Sequence, residues 1–386
     1  MIKDFDNHLP VRVRFGDGVA ASLPALVSGQ GWSHVFVIVD EGLAAHNPAV
    51  AALLEELAVT ASLTIHEKPP GEPTIASADA ACTALAGSAA EVVIAIGGGS
   101  VMDTAKAARS CVQQGVDLTT FLGGERVFPE PDIPMIAVPT TAGTGSEVSG
   151  GAVFTDPARG VKAGIAHPNL RATWAFVDPR LTHTMPPAMT AHTGIDALAQ
   201  AIAAVIARVS TPIGDAIAFE AVRLIGRSLT VAYRNPLDVD ARSEMMCAAT
   251  MAGLAMNISD CTAEHSLGQA IGGLTGAPHG LTVGLVLAET LERERHQVPE
   301  LLERVADALG APPGEVADGS RCVDAVRRLL QDLDFPVLSD LELTPDDSDR
   351  LARAALDDYF ITMSPATWTF EEVRAAFDSA FSLARR

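Results

Sequence analysis

The stretch GGGSVMDTAK at residues 97–106 decides the predicted fold of this chain. Residues 91–96 before it are, after Glu91, apolar and mostly β-branched, as in a buried strand, and residues 105–112 are predicted to form a helix. Glycines let a backbone approach a phosphate without a Cβ in the way, and the first N–H groups and the dipole of a helix favour negative charge. Because a plain strand-to-helix turn needs only one glycine, three in succession favour an anion-binding turn.

The acidic residue of this stretch, Asp103, is poorly suited to contact a phosphate. We expect it either to brace the turn or to accept a hydrogen bond from a ribose hydroxyl. The stretch matches neither the six-residue dinucleotide fingerprint nor the loop of nucleoside triphosphatases, since the Gly-Lys-Ser/Thr ending of that loop is missing.

Composition indicates a globular protein. The 386 residues, 48% of them hydrophobic, are enough for two domains, and the net charge of −21 argues against nucleic acid or an anionic membrane as a partner. Five scattered cysteines without a CxxC pair fit a reducing compartment and predict no disulfide framework. The first residues lack an apolar signal region, and no uninterrupted run of ~18 apolar residues occurs. We therefore expect a cytoplasmic protein without a membrane span.

Strands and helices alternate in the first half of the chain. This order predicts a parallel sheet with helices on both faces, and the ligands of such sheets bind at the carboxyl ends of the strands. The predicted strands are residues 11–15, 34–39, 63–65, 91–96 and 135–138, and the predicted helices are residues 20–27, 48–57 and 75–86.

Two further strand ends carry polar side chains. Asp40 follows strand 34–39, where a carboxylate can accept a hydrogen bond from an adenosine ribose and repel a 2′-phosphate, which favours NAD over NADP. A solvated strand-end aspartate is the alternative. Strand 135–138 runs into PTTAGTGSE at residues 139–147, whose hydroxyls could reach a ribose, a pyrophosphate or a nicotinamide amide. A surface loop rich in serine and threonine is the alternative there.

Beyond residue 181 the strand patterns give way to long helices rich in alanine, leucine and methionine. We expect an α/β dinucleotide-binding domain over residues 1–181 and an all-helical domain over residues 182–386. The predicted helices of the second domain are residues 193–208, 212–227, 241–256, 263–271, 281–294, 299–309, 320–333, 344–358 and 369–383.

The helical half contains residues typical of metal sites. Asp196 and Gln200 are four residues apart and therefore share a helical face, as do His265 and Gln269, and His279 lies in a predicted turn. One aspartate, two histidines and a further oxygen donor could hold a divalent ion. Helix caps and polar groups that satisfy a core are the alternative interpretation.

Taken together, these motifs resemble the iron-containing (group III) alcohol dehydrogenase family. The resemblance implies an N-terminal nucleotide domain, an all-helical C-terminal domain of the dehydroquinate synthase-like architecture, and an active cleft between them. It runs nearly end to end and rests on residues 15–16, Asp40, 97–106, 139–147, 178–179, 193–198, His265 and 278–280.

The resemblance also implies roles for individual residues. Asp40 would bind the adenosine ribose, Lys162 would contact the cofactor, and Leu181 would lie beside the adenosine. The other implied cofactor-binding positions are Gly97, Gly98, Gly99, Ser100 and Asp103 at the glycine turn, and Thr140, Thr141 and Thr144 at the phosphate and nicotinamide end. Asp196, His265 and His279 match three of the family's four metal ligands.

The chain departs from the family pattern at several positions. Gln200 stands where the family usually has the fourth ligand, a histidine, and Gln269 stands where a histidine near the nicotinamide is common. A neutral amide is a poorer donor to iron or zinc than imidazole. Asparagines common near the cofactor are replaced around residues 71–72 and by Gly151.

Three functions remain open on the sequence alone. The first is an NAD(H)-dependent alcohol dehydrogenase or aldehyde reductase for a small substrate, in which Fe²⁺ or Zn²⁺ bound by Asp196, Gln200, His265 and His279 polarises the carbonyl. The second is a metal-independent reductase of the maleylacetate reductase type, although those enzymes generally lack an acid at the Asp103 position. In that reductase the catalytic hydrogen-bond donors would be His265, His279, Gln200 and Lys162. The third is a nucleotide-binding relative without activity. The family further implies a homodimer joined through an N-terminal strand.

Overall fold

The computed structural model describes residues 5–122, 127–156 and 161–383. The described residues form two compact units, one of residues 9–185 and one of residues 186–383 together with residues 5–8. The first unit is built on a parallel sheet and the second is helical. The predicted fold class, an α/β nucleotide-type domain followed by an all-helical domain, is confirmed.

The central sheet of the first unit has six strands in the order β1-β8-β5-β4-β2-β3, and every neighbouring pair is parallel. A separate antiparallel hairpin pairs β6 with β7. The strands are β1 Arg12–Phe15, β2 His34–Asp40, β3 Ser62–Lys68, β4 Val92–Gly97, β5 Met135–Pro139, β6 Gly151–Asp156, β7 Val161–Ala166 and β8 Trp174–Val177.

Helices cover both faces of this sheet, which explains why its inner strands are apolar between their end residues. In β2, Val37 and Val39 join a core cluster with α1 and α3, while Phe36 and Ile38 join a second cluster with α4 and α5. The helices of this unit are α1 Leu23–Gln30, α2 Leu43–His46, α3 Pro48–Thr60, α4 Ile75–Ala86, α5 Gly99–Gln114 and α6 Thr119–Leu122.

The strand order reverses between β2 and β4. The chain first adds β3 on one side of β2, and then adds β4, β5 and β8 on the other side. A reversal of this kind leaves a crevice outside the carboxyl ends of the two central strands, where open α/β sheets bind their ligands. Here those carboxyl ends are Asp40 and Gly97.

The second unit packs its helices around the long, buried α7. By length and composition α7 could cross a membrane, but 83% of its most apolar window is buried inside the protein, as in a core helix. The helices are α7 Pro187–Ile206, α8 Pro212–Arg234, α9 Val239–Ser259, α10 Ala263–Thr275, α11 His279–Glu294, α12 Pro299–Ala308, α13 Ser320–Asp332, α14 Ser348–Leu356 and α15 Phe370–Ser382.

The structure corrects the predicted elements at several places, three of which bear on the motifs. The helix after the glycine turn begins at Gly99 rather than at residue 105, so the last glycine of the motif is already part of its first turn. His279 is the first residue of α11 and does not lie in a turn before it, since Pro278 already ends the loop as the N-cap. The helix predicted over residues 344–358 is a 3-10 turn at Pro345–Asp347 followed by α14.

Candidate active site

The glycine turn joins β4 directly to the N-terminus of α5. Gly98 is the N-cap, and its residue type offers no side-chain oxygen to accept from the first backbone N–H groups of the helix. A helix of 16 residues with such a terminus is a ready anion site, because its dipole and its first N–H groups both favour negative charge.

The loop after β5 packs against this turn. The backbone N–H of Thr140 donates to the Gly97 carbonyl oxygen at 3.0 Å. A Cβ at Gly99 would lie 2.7 Å from Oγ1 of Thr144, and one at Gly98 would lie 3.3 Å from Cγ2 of Thr141, so Gly99 in particular must lack a side chain. The structure therefore brings together the glycines and the threonines that the sequence assigned to one cofactor site.

Asp103 and Lys106 lie beneath the turn and brace it. Oδ1 of Asp103 accepts a hydrogen bond from the Ser146 hydroxyl at 2.7 Å, and Oδ2 accepts one from the Val153 N–H at 2.9 Å. The Lys106 ammonium group donates to Ser146 Oγ at 2.6 Å and to the Gly151 carbonyl at 2.7 Å, and lies 3.6 Å from Asp103. Because both carboxylate oxygens are bound within the protein, the geometry favours the bracing role over a ribose contact.

Asp40 lies beside the glycine turn with its carboxylate partly open to solvent. A Cβ at Gly97 would come within 3.0 Å of Asp40 Oδ2, and the side chain is 29% exposed. Burial raises the pKa of Asp40, while Lys68 at 3.4 Å and the Gly98 backbone N–H oppose that rise. Lys68 is itself fixed by the Pro69 carbonyl at 2.5 Å and the Gly71 carbonyl at 2.9 Å.

Lys162 and Leu181 are both in the first unit but differ in their surroundings. The buried ammonium group of Lys162, on β7, forms an ion pair with Glu72 at 2.9 Å. Leu181 is buried in the core cluster that includes Val39, and its carbonyl accepts a hydrogen bond from the Asn47 amide at 2.8 Å. Glu72, one of the two residues where the family's asparagine is replaced, thus holds the lysine that the resemblance assigns to the cofactor.

The metal-type residues of the second unit converge. Candidate ligand atoms of Asp196, His265 and His279 all lie within 4.8 Å of one another. Nε2 of each histidine is 3.7 Å from Oδ1 of Asp196, which is beyond hydrogen-bond distance. Asp196 and His265 are buried, whereas the side chain of His279 is 25% exposed, so the cluster is most open at His279.

Three polar atoms of this cluster are buried without a hydrogen-bond partner within the described part of the chain. They are Oδ1 of Asp196, Oε1 of Gln200 and Nε2 of His265. Burying an unpaired polar group costs about 1–3 kcal/mol, so three such atoms in one place indicate a site shaped for an added ligand. A carboxylate oxygen, an amide oxygen and imidazole nitrogens are a donor set that suits a divalent cation. These residues therefore fit a divalent metal ion, which the sequence left as one of two possibilities.

Close helix packing produces this convergence. A Cβ at Gly280 would lie 2.3 Å from the His192 carbonyl oxygen of α7, so only glycine lets the start of α11 approach α7 so closely. That approach places His279 opposite Asp196, while α10 contributes His265. Gln200 follows Asp196 by one turn of α7, as the four-residue spacing predicted.

Neighbouring charges and hydrogen bonds shift the pKa values of Asp196 and His265. Burial alone would raise the pKa of Asp196, but His279, His265 and the Gln200 amide outweigh burial and lower it. Burial disfavours the charged form of His265, yet Cys261, Asp196 and Glu264 together raise its pKa well above its ordinary value. The carboxylate of Asp196 is thereby kept ionised, as a metal ligand must be.

The sequence analysis missed one polar residue of this site, Glu264. Its Oε1 lies 2.7 Å from Nδ1 of His265, on the far side of the imidazole from Asp196. Neighbouring residues on a helix do not normally face each other, so the sequence offered no direct signal. Gln269, by contrast, is only half-buried.

Comparisons with known proteins agree with this geometry. A family model described as "Iron-containing alcohol dehydrogenase" matches residues 10–179, and one described as "Fe-containing alcohol dehydrogenase family, C-terminal" matches residues 190–381. The chain is 34% identical over 368 residues to the probable alcohol dehydrogenase EutG of Escherichia coli, covering 95% of this chain and 92% of the relative.

Solved structures give the same result. The sulfoacetaldehyde reductase of Bifidobacterium kashiwanohense, solved in complex with NAD⁺, superposes with a TM-score of 0.90 at 28% identity, over 99% of this chain and all of the other. The alcohol dehydrogenase of Oenococcus oeni gives a TM-score of 0.93 at 29% identity, over 98% of this chain and all of the other.

Fold, site and comparisons together define an NAD-dependent oxidoreductase that acts on CH–OH groups. The chain belongs to the iron-containing alcohol dehydrogenase family. Membership in this family implies NAD as coenzyme and iron or another divalent metal.

Proposed function

We propose that the protein interconverts a small aldehyde and its alcohol with NAD(H) and a divalent ion, Fe²⁺ or Zn²⁺, held by Asp196, Gln200, His265 and His279. The observation that carries this proposal is the group of three buried, unpartnered donor atoms at Asp196, Gln200 and His265. An ion bound there would supply Lewis-acid polarisation of the carbonyl oxygen.

The first unit is assigned to the coenzyme. The α5 N-terminus with Gly97, Gly98, Gly99 and Ser100 would bind the pyrophosphate, and the hydroxyls of Thr140, Thr141 and Thr144 would bind the neighbouring ribose and amide groups. Asp40 would accept the adenosine ribose hydroxyls. Lys162, which Glu72 holds in the same unit, is assigned to the coenzyme as well.

The second unit is assigned to the substrate. Because His279 is the most exposed member of the cluster, the carbonyl compound would approach from its side. The buried imidazole of His265 and the carboxylate of Asp196 would stay fixed behind it and exclude water. The substrate class proposed here, a small aldehyde, is based on the similar proteins, one of which is a sulfoacetaldehyde reductase.

The same proposal includes a homodimer in the cytoplasm. β1 lies at the edge of the sheet with all four residues exposed, including Val13 and Phe15 at 39% and 42%. An exposed apolar edge strand is a template for pairing with a second copy. All five cysteines are free, as expected in a reducing compartment. Light scattering that gives a monomer mass would contradict the dimer.

A coenzyme and substrate panel tests the function. Metal-loaded protein is supplied with NADH or NADPH and a series of short aldehydes, and coenzyme oxidation is followed by absorbance. We expect turnover of NADH with at least one aldehyde and turnover with NADPH that is lower by about two orders of magnitude, since Asp40 repels the 2′-phosphate. No oxidation of NADH with any aldehyde would favour a nucleotide-binding relative without activity.

A further inference from the structure

Glu264 is a buried residue in the first turn of α10, and its carboxylate contacts two neighbours in sequence, Thr262 and His265. Oε1 lies 2.7 Å from Nδ1 of His265 and accepts the Thr262 backbone N–H at 3.2 Å, and Oε2 accepts the Thr262 hydroxyl. The side chain folds back along the first turn of the helix, where Thr262 is the N-cap. Glu264 is thus fixed on one side by Thr262 and on the other by the imidazole.

This contact determines which nitrogen of His265 faces the cluster. A carboxylate can only accept, so Nδ1 must carry the proton that it shares with Glu264. In the neutral form that can bind a metal, the lone pair is then on Nε2, which is the atom that lacks a partner among the described residues and lies 3.7 Å from Asp196 Oδ1. Glu264 thereby orients the ring and sets its tautomer.

Other buried glutamates of the helical unit have structural partners. Glu289 accepts hydrogen bonds from Ser379 and Arg327, and Glu294 accepts them from Trp368 and the Ala366 N–H. Glu264 differs because its imidazole partner is itself a candidate ligand. A carboxylate that accepts a hydrogen bond from a ligating histidine raises the basicity of that ligand.

We propose that Glu264 is a positioning residue of the metal site, which holds His265 in its ligating orientation and offsets the weak amide donor Gln200. The inference rests on the proposed metal-assisted function and deepens it. Glu264 touches neither substrate nor coenzyme in this account and acts only through His265. Partners of this kind are worth about 10–100-fold in metal affinity.

The test measures Zn²⁺ affinity of the full-length protein by competition with a chromogenic chelator. Glu264→Gln keeps the size of the side chain but removes its charge, and we expect its Kd for Zn²⁺ to rise by about 10–100-fold. Glu289→Gln is the matched control, since it neutralises another buried glutamate of the same unit. Its Kd should stay within about twofold of wild type, even if its melting temperature falls.

A second variant keeps the proposal testable if Glu264→Gln does not fold. Thr262→Val removes the hydroxyl that holds Glu264 but keeps its carboxylate, and the Thr262 side chain caps no backbone group of α10. We expect it to weaken Zn²⁺ binding by less than Glu264→Gln does. In the Co²⁺-loaded protein, the visible absorption bands should shift in Glu264→Gln and remain as in wild type in Glu289→Gln.

The outcomes separate this inference from the proposed function. Tight binding to wild type with an unchanged Kd and unchanged Co²⁺ bands in Glu264→Gln would overturn the inference alone. Absence of Zn²⁺ binding to wild type would overturn both the metal-assisted function and the role of Glu264. Weaker binding in Glu264→Gln and Thr262→Val, but not in Glu289→Gln, would support both.

Discussion

Two buried polar clusters, one in each unit, have opposite hydrogen-bonding states. Beneath the glycine turn, both carboxylate oxygens of Asp103 and the ammonium group of Lys106 are bound within the protein. In the helical unit, Asp196, Gln200 and His265 each have a buried atom without a partner in the described ranges. Both clusters contain an acid at a motif position, so residue type alone does not distinguish them.

The difference indicates what each cluster is for. A buried charge network whose members are all satisfied fixes a backbone, here the start of α5 and the loop after β5. A group of buried polar atoms left without hydrogen-bond partners costs stability, and such a cost is tolerated where a ligand offsets it. We therefore propose that the first cluster maintains the coenzyme site and that the second is itself a binding site.

Breaking the satisfied cluster should have the largest effect. Lys106→Met removes the cation that neutralises Asp103, and leaving one member of a buried ion pair costs about 3–5 kcal/mol of unfolding free energy. Urea unfolding measures this loss, and Zn²⁺ affinity should be unaffected. Burial already raises the pKa of Asp103, and without Lys106 it rises further. The folded variant then takes up a proton more readily than the unfolded chain. Its loss of unfolding free energy relative to wild type should therefore become smaller as the pH falls.

Asp40 is intermediate between the two clusters, because Lys68 contacts its carboxylate while part of it is exposed. Asp40→Gly removes the charge that repels a 2′-phosphate and leaves Lys68 near the same position. The preference for NADH over NADPH should therefore fall by about 100-fold, or about 2.7 kcal/mol, measured as the ratio of kcat/KM values. A coenzyme preference that stays at the wild-type value would show that Asp40 does not bind the adenosine ribose.

Strengthening the unsatisfied cluster should have a smaller effect. Gln200→His exchanges a neutral amide for an imidazole, a better donor to zinc or iron. We expect the Kd for Zn²⁺ to fall by about tenfold, equivalent to about 1.4 kcal/mol. Isothermal titration in the presence of a competing chelator measures this change. Equal affinity in the two proteins would mean that residue 200 does not bind the ion.

The smallest effect distinguishes the two clusters most sharply. Gln200→Leu replaces a side chain whose Oε1 lacks a partner with an apolar one of similar size. The unfolding free energy of the metal-free protein should fall by only about 1 kcal/mol, because one amide contact with Asp196 is lost and no ion pair is broken. Urea unfolding under the conditions used for Lys106→Met gives the comparison. A loss as large as that of Lys106→Met would show that Gln200 is a structural residue.

The sequence predicted the fold class, and it predicted the two loops that meet at the glycine turn. Those features depend on local signals, namely an apolar strand, a run of glycines and a run of threonines. One partner of Asp103, the Val153 N–H, was not predictable because Val153 lies on β6, a strand whose pairing with β7 had no clear pattern.

Metal-site details depended on packing that the sequence does not encode locally. Asp196 and Gln200 followed from helical spacing, but the meeting of Asp196 with His279 depends on the close approach of α11 to α7 at Gly280. Glu264 was missed because its side chain folds back to Thr262, a geometry specific to the first turn of a helix.

Metal reconstitution tests the central claim, that the unsatisfied cluster binds a divalent ion needed for turnover. The protein is stripped with a chelator, its metal content is measured, and NADH-dependent aldehyde reduction is followed while Zn²⁺ or Fe²⁺ is added back. The account predicts that activity is lost on stripping and returns at one equivalent of metal per chain, and that His279→Ala neither binds the ion nor recovers. Full activity in stripped protein with a negligible metal content would contradict it and favour a metal-independent reductase.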